Sequence, residues 1–278
     1  MAKAQAIVIR PAGSAWSNIA EHLRRLSEYR DLLVTLSIHR INVRYRQTVL
    51  GIAWAVLQPL VLMVVFALVF SRLARMPSEG VPYAIFAYAA LLPWTFFSTA
   101  VVNATGSLVN HTQLITKVYF PREILPLTYI VAALFDFALG LIALAALMAW
   151  FDVAITTAVL LILPLVGLMA AWALAVSLIT SAVQVRWRDI GVAMPVLVQI
   201  GMFVSPVIYP LNVVPDGWRT VYLLNPMAGI IQSFRDVLLR GTRPEPTPLM
   251  FAIAVTAVVL PVAYLFFKRA EATMADVV

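Results

Sequence analysis

The sequence predicts an all-α membrane protein. It has six transmembrane helices, an N-terminal amphipathic helix at the membrane interface, a short helix in a cytoplasmic loop, and an outer re-entrant hairpin between helices five and six. Three observations carry this. Of 278 residues, 62% are hydrophobic and only 12% charged, too few charges to cover a soluble fold of this size. The apolar residues gather in charge-poor runs of about 20, the length a helix needs to cross a bilayer core. A membrane β-barrel would instead show alternating segments of about 10 residues. The chain divides into an N-terminal segment with the interface helix at 1–48, the membrane domain at 49–267, and a tail at 268–278.

Residues 30–48 read as a helix with two apolar stripes. Val34, Ile38, Ile41 and Tyr45 form one, and Leu32, Leu36 and Val43 the other, with Arg40, Arg44 and Gln47 on a polar face between them. Two stripes suit a helix with lipid on one side and protein on the other. The spans follow at 49–70, 81–102, 124–151, 153–185, 190–214 and 247–267. Only the third carries a charge, Asp136, and no span offers it a basic partner. A lone acid is thin support for a proton relay and reads as a structural, hydrogen-bonded group.

Between spans two and three, 106–119 forms a short helix closed by Pro121. Asn110, Gln113 and Lys117 make a polar stripe, with Leu108, Ile115 and Val118 opposite. Presented to the cytoplasm, such a helix is a docking surface. The stretch 205–243 is too long for a plain loop. Pro206, Pro210 and Pro215 break it; Asn225 then caps a new helix, Pro226 takes its first position and Gly241 stops it. The apolar face of Met227, Ile230, Ile231, Phe234, Val237 and Leu238 is too short to cross a bilayer, so the segment reads as re-entrant.

Orientation follows from the loops. With the N-terminus in the cytoplasm, Arg72, Arg75, Arg219, Arg235, Arg240 and Arg243 fall outside, and every other Lys and Arg falls inside. This bias places both termini in the cytoplasm. The net charge of +7 is therefore topological, and no basic stripe with interleaved aromatics suggests nucleic acid. The chain has no cysteine, which excludes disulfides and thiol chemistry. It has no G-x-x-x-x-G-K-[ST] phosphate loop. His22, His39 and His111 are far apart, so no metal site and no catalytic residues are expected. Phe66, Phe70, Phe86, Tyr88, Trp94, Phe203 and Tyr209 cluster near the outer span ends. They read as an interfacial belt, or as rings lining a pore and stacking on sugars.

Several motifs resemble one family. Arg44-Tyr-Arg-Gln-Thr-Val-Leu-Gly-Ile-Ala-Trp-Ala-Val-Leu-Gln-Pro59 resembles the start of the first span in ABC-2 type permeases that export polysaccharides. Lys117-Val-Tyr-Phe-Pro-Arg-Glu-Ile-Leu-Pro126, Arg186-Trp-Arg-Asp189, Ser205-Pro-Val-Ile-Tyr-Pro210 and Asn225-Pro-Met227 are similar to later segments of that family, in the same order. The nearest sub-family is the membrane subunit of O-antigen exporters; capsule and teichoic-acid permeases are similar too. The resemblance implies a homodimer with one central channel in the bacterial inner membrane. It also implies two copies of a separate cytoplasmic ABC ATPase, which hold ATP and Mg, so that this chain binds no cofactor. The expected substrate is a polysaccharide on polyprenyl diphosphate.

In that frame 106–119 is a coupling helix. Asn110, Gln113, Leu114 and Lys117, with Arg186 and Arg188, meet the ATPase. Arg40, Arg44 and Arg46 receive the diphosphate head group. Two other classes remain open. A membrane-embedded lipid-linked glycan transferase would need convergent charged residues at the membrane face. A secondary transporter would show repeat symmetry and several intramembrane polar groups.

Overall fold

The computed structural model describes residues 28–46 and 48–277. The predicted cytoplasmic stretch 1–27 with His22, and Gln47 of the polar face, lie outside the described residues. Every regular element among those described is helical. In chain order they are α1 (Arg30–Tyr45), α2 (Ala53–Phe66, prolonged by a π turn at Ala67–Leu73), α3 (Tyr83–Thr105), α4 (Thr112–Lys117), α5 (Ile124–Trp150), α6 (Ile162–Arg186, led in by a 3₁₀ turn at Thr157–Leu161), α7 (Ile190–Val204), α8 (Asp216–Leu223), α9 (Pro226–Leu238) and α10 (Pro246–Val277).

Among the described residues, five segments are long and apolar enough to cross a membrane: Ala53–Arg72, Tyr83–Thr105, Ile124–Trp150, Thr157–Arg186 and Pro246–Ala272. The predicted fifth span, 190–214, is different. Its helix α7 has 15 residues, about 22 Å at 1.5 Å per residue, short of a bilayer core of about 30 Å. The cause is local. Ser205 precedes Pro206 and is extended, with φ −105° and ψ 152°, as the clash with a following proline ring requires.

Helix α3 is the centre of the bundle. It packs against α2, α5, α6, α7 and α9, and 78% of its most apolar 18-residue stretch is buried, against 11–28% for the other four long segments. Ala87, Ala89, Ala90 and Ala100 are fully enclosed; small side chains let neighbouring backbones close in. Gly140 of α5 sits against Leu92, and Tyr88 donates its hydroxyl to the Gly140 carbonyl at 3.2 Å.

The two ends of the bundle are knit separately. At the first end, one apolar cluster joins Leu108 and Ile115 of the α3–α5 connection, Ile124 and Leu125 of α5, Val185 of α6, and Phe267 and Met274 of α10, with Leu32, Leu33 and Leu36 of α1 packed against it. Lys268 of α10 bonds Glu123 at 2.7 Å and Glu271 at 2.8 Å over the same region. At the second end the other connections meet. Tyr83 donates to the Ile208 carbonyl at 2.6 Å, Thr156 to the Gly241 carbonyl at 3.1 Å, and Arg240 bridges Glu79 at 2.7 Å and Asp236 at 2.9 Å.

Helix α9 starts as its sequence requires. The Asn225 side chain accepts from the Met227 N–H at 3.1 Å, with Pro226 at the first position. Gly241 follows the helix at φ +64°, where a residue with a Cβ would be strained. The expectation of one buried apolar face is too narrow: all 13 residues are buried, Gln232, Ser233, Arg235 and Asp236 included. Helices α3, α6 and α10 pack against it. Its polar groups donate inside the bundle: Gln232 to Asp236, Ser233 to the Gly229 carbonyl, and Arg235 to the carbonyls of Phe86, Pro206, Val207 and Tyr209.

Candidate functional site

The polar face of α1 turns inward onto α5, while Val34, Ile38 and Val43 stay exposed. Arg40 donates from Nε to Thr128 Oγ1 at 2.6 Å, and its guanidinium lies 3.5 Å above the Tyr129 ring. Its Nη2 is 3.4 Å from His111 Nε2, and His111 Nδ1 is 2.8 Å from the Ser107 carbonyl. A carbonyl only accepts, so Nδ1 carries the imidazole proton and Nε2 accepts from Arg40. Burial pushes His111 below the ordinary imidazole range; the Arg40 and His39 charges add to this, and the Ser107 bond opposes it. Arg40 thereby ties α1 both to α5 and to the α3–α5 connection.

One turn further on, Arg44 donates from Nη1 to Asp136 Oδ2 at 2.5 Å, and the Tyr45 hydroxyl donates to Oδ1 at 2.5 Å. Asp136 is therefore not a lone acid. Its basic partner comes from α1, 92 positions away and outside every predicted span. The signal available in sequence was the adjacent Arg44-Tyr45 pair, two donors side by side on a helix expected to face protein. Thr180 and Ser181 of α6 are engaged elsewhere: Thr180 meets Thr105 of α3 at 2.8 Å, and Ser181 bonds the Leu178 carbonyl of its own helix. Arg44, Gln58, Thr95, Thr99 and Asp136 border a small cavity of about 20 Å³, room for about one water molecule.

Of the three arginines expected to meet a head group, Arg40 and Arg44 are thus engaged internally. Arg46 is exposed and borders a groove of about 560 Å³ between α1 and α2.

The expected helix at 106–119 is shorter in the structure. A 3₁₀ turn at Val109–His111 leads into α4, which has six residues. Asn110, Gln113 and Lys117 are exposed, Leu114 is half-buried, and Leu108 and Ile115 are buried. Val118 is not on the buried side: it is 51% exposed, beside Tyr119 at 90%. Arg186 and Arg188 are exposed on either side of Trp187, with the Arg186 guanidinium 5.5 Å from that ring. The shared cluster of Leu108, Ile115 and Val185 brings both segments to the first end of the bundle.

The seven aromatic residues do not form one lining within the chain. Phe86, Tyr88 and Trp94 are buried in the core around α3. Phe66 and Phe70 pack edge to face at 5.5 Å, both half-buried. Phe203 is exposed, and its carbonyl accepts from the Tyr209 hydroxyl at 2.8 Å. With that proton spent, Tyr222 is the donor in the 2.8 Å contact between the two tyrosine hydroxyls.

The sequence also placed Arg235 among outer loop charges. It is 1% exposed. Its guanidinium donates to the carbonyls of Pro206 at 2.6 Å, Val207 at 2.8 Å, Tyr209 at 3.3 Å and Phe86 at 3.4 Å, and lies 3.6 Å over the Phe86 ring. Pro206 and Pro210 break the helix, and Arg235 satisfies the carbonyls that the break frees.

Residues 32–239 match the ABC-2 type transporter family. The chain belongs to that family. It is 32% identical over 256 residues to the O-antigen export system permease protein RfbA of Myxococcus xanthus, covering 91% of this chain and 98% of that one. It is 24% identical to the protein of the same name from Klebsiella pneumoniae, over 76% of this chain and 82% of that one. The polysialic acid transport protein KpsM of Escherichia coli is 22% identical over 86% of this chain and 93% of its own. The ABC-2 match takes in most of α1 and runs through α9, so the α1–α5 seam and the buried Arg235 both lie within the family region.

Proposed function

We propose that this ABC-2 chain is the transmembrane subunit of an ATP-driven exporter. Its cargo is an O-antigen-like polysaccharide linked to polyprenyl diphosphate, moved from the cytoplasm across the bacterial inner membrane. The similarity to O-antigen export permeases over nearly the whole chain carries this reading. Two copies form one central channel above two cytoplasmic ATPase subunits, which hold ATP and Mg. In this reading α7 and the residues up to Tyr209 make a sixth crossing. Its support is that α6 closes in the first cluster while Ile208, beyond α7, bonds at the opposite end. Both termini are cytoplasmic, α1 lies at the inner interface with Val34 and Ile38 in lipid, and α9 is re-entrant from the outer side.

The exposed patch of Asn110, Gln113 and Lys117, with Leu114 at its edge and Arg186 and Arg188 nearby, is the ATPase contact. Phe66, Phe70, Phe203 and Tyr209 are the aromatics placed to touch a passing glycan, since ring faces stack on sugars without reading their order.

The test is a strain without this gene. Polyprenyl-linked glycan should accumulate in the cytoplasm and surface glycan should vanish, both restored by the wild-type chain. Normal surface glycan with no such accumulation overturns the proposal. The similarity to polysialic acid transport proteins favours a second reading, a capsule permease. Loss of capsule with O-antigen intact selects it.

A further inference from the structure

We propose that α10 carries nucleotide-driven motion from the ATPase-facing end of the bundle to the buried helix α9, and that Lys268 is the positioning residue that locks α10 to the chain leaving α4. This rests on the reading of the exposed α4 patch as the ATPase contact, and names the path the motion takes from there.

After α4 the chain turns extended at Val118, with φ −130° and ψ 133°, and reaches α5 through Phe120, Pro121, Arg122 and Glu123. Glu123 is 2% exposed, and a carboxylate that deep must be paired. Lys268 Nζ donates to one of its oxygens at 2.7 Å, and the Tyr264 hydroxyl to the other at 3.4 Å. Lys268 also donates to Glu271 Oε2 at 2.8 Å. From the connection, the Arg122 N–H donates to Glu271 Oε1 at 3.2 Å, and Arg122 Nη1 to the Glu271 carbonyl at 2.8 Å. Tyr264, Lys268 and Glu271 follow one another at i, i+4 and i+7, so they share a face of α10. Beside them, Phe267 and Met274 join the apolar cluster that also holds Ile115 of α4 and Phe120. Apolar contact alone would let the two segments slide; charge-assisted bonds fix their register.

The far end of α10 is held to α9 as closely. A Cβ on Gly229 of α9 would collide with the Pro248 carbonyl, and Asp236 accepts from the Glu245 N–H at 3.1 Å, just before α10 begins. From Pro246 to Glu271 the helix spans about 38 Å at 1.5 Å per residue. Pro261 lies between the two ends, yet the helix is continuous through it, and nearby Ala263 is fully enclosed. Helix α3 is the competing path, since it leads into the α4 connection and also packs on α9. The two helices differ in how freely they can shift. Of the most apolar stretch of each, 78% is buried in α3 and 17% in α10. Moving α3 disturbs a close-packed core on every side, whereas most of that stretch of α10 faces out of the bundle, where lipid yields.

The experiment uses the full-length chain with its ATPase in nanodiscs. Ser233 of α9 is 1% exposed, so Ser233→Cys is a near-isosteric reporter in a chain without other cysteines. Its maleimide labelling should speed up when ATP is supplied. Lys268→Met should cut that rise about fivefold or more while ATP hydrolysis continues, and Lys268→Arg should keep most of it. If Lys268→Met fails to insert because Glu123 is left unpaired, Glu123→Gln with Lys268→Met leaves neither charge of the pair and should show the same loss. An undiminished rise in either variant overturns the proposal and assigns the motion to α3. So does a rise lost only together with ATP hydrolysis, which would mean that Lys268 holds the ATPase contact together. A wild-type complex that hydrolyses ATP without any change at Ser233→Cys removes α9 as the receiving element. None of these results touches the permease reading, which falls only if the strain without this gene keeps its surface glycan.

Discussion

Asp136 holds two donors from one turn of α1, Arg44 exposed and Tyr45 buried. The Arg44 side chain is 43% exposed and that of Asp136 17%, so the ion pair is partly screened and worth less than a buried one. Asp136→Ala should cost about 1–2 kcal/mol through the lost charge-assisted bonds, read as a lower melting temperature in detergent. The reversed pair, Arg44→Asp with Asp136→Arg, should recover part of that loss; no recovery would show that Tyr45 carries the contact. His111 supplies a pH test. Its imidazole is held below the ordinary value by burial, so an opened state binds a proton first. The stability that the Arg40–His111 contact contributes should be fully present above about pH 6.5, the value of a free imidazole, and be lost as pH falls from there through the lower value held in the fold. Wild type should lose stability relative to His111→Asn between pH 8 and pH 5.5. Parallel curves for the two proteins would remove His111 from the link.

Helix α9 is an element with no free side. Its close approach to α10 is set by Gly229, where a Cβ would collide with the Pro248 carbonyl. Gly229→Val should destabilise by about 1–3 kcal/mol or more, as overpacking does, whereas Asn225→Ala should cost about 1 kcal/mol by removing the cap. Thermal melts of the two variants give the order. Arg235→Met should be worse than either, because the carbonyls of Pro206, Val207 and Tyr209 lose donors in a buried site. Cysteine accessibility separates α8 from α9, and the absence of native cysteines makes it direct. Single cysteines across Pro226–Leu238 should be protected at rest. Those at Gly217, Trp218 and Val221 of α8, all exposed, should label readily. Ready labelling within α9 would mean that the helix leaves the bundle.

For the whole molecule, the expected division of labour is testable in two steps. The purified chain should hydrolyse no ATP, since it carries no phosphate loop; saturable hydrolysis by the chain alone would refute this. With its ATPase present, reversing charge at Lys117 and enlarging Gln113 should leave insertion intact and lower glycan export per ATP consumed. Both side chains are exposed, so the fold should not suffer. Unchanged export at normal expression would place the ATPase contact elsewhere.

The helical class and the long crossings were legible because a run of apolar residues has few ways to satisfy its backbone in lipid, and the helix is the local one. The Asn225-Pro226 start of α9 was legible for the same reason: a cap depends on residues next to each other. The early end of α7 at Val204 needed only Ser205-Pro206, a local signal that hydropathy over a window overrides. Other features had no local signature. Asp136 finds Arg44 across 92 positions, and Arg235 reads as a loop charge until the carbonyls of a broken helix surround it. Which arginine stays free follows from those pairings. Arg40, Arg44 and Arg46 are alike in sequence, and only the packing of α1 against α5 consumes the first two and leaves the third facing the groove. Charge type and helix length are properties of the chain; the partner of a charge is a property of the fold, because it depends on which distant backbone or carboxylate arrives within hydrogen-bond reach.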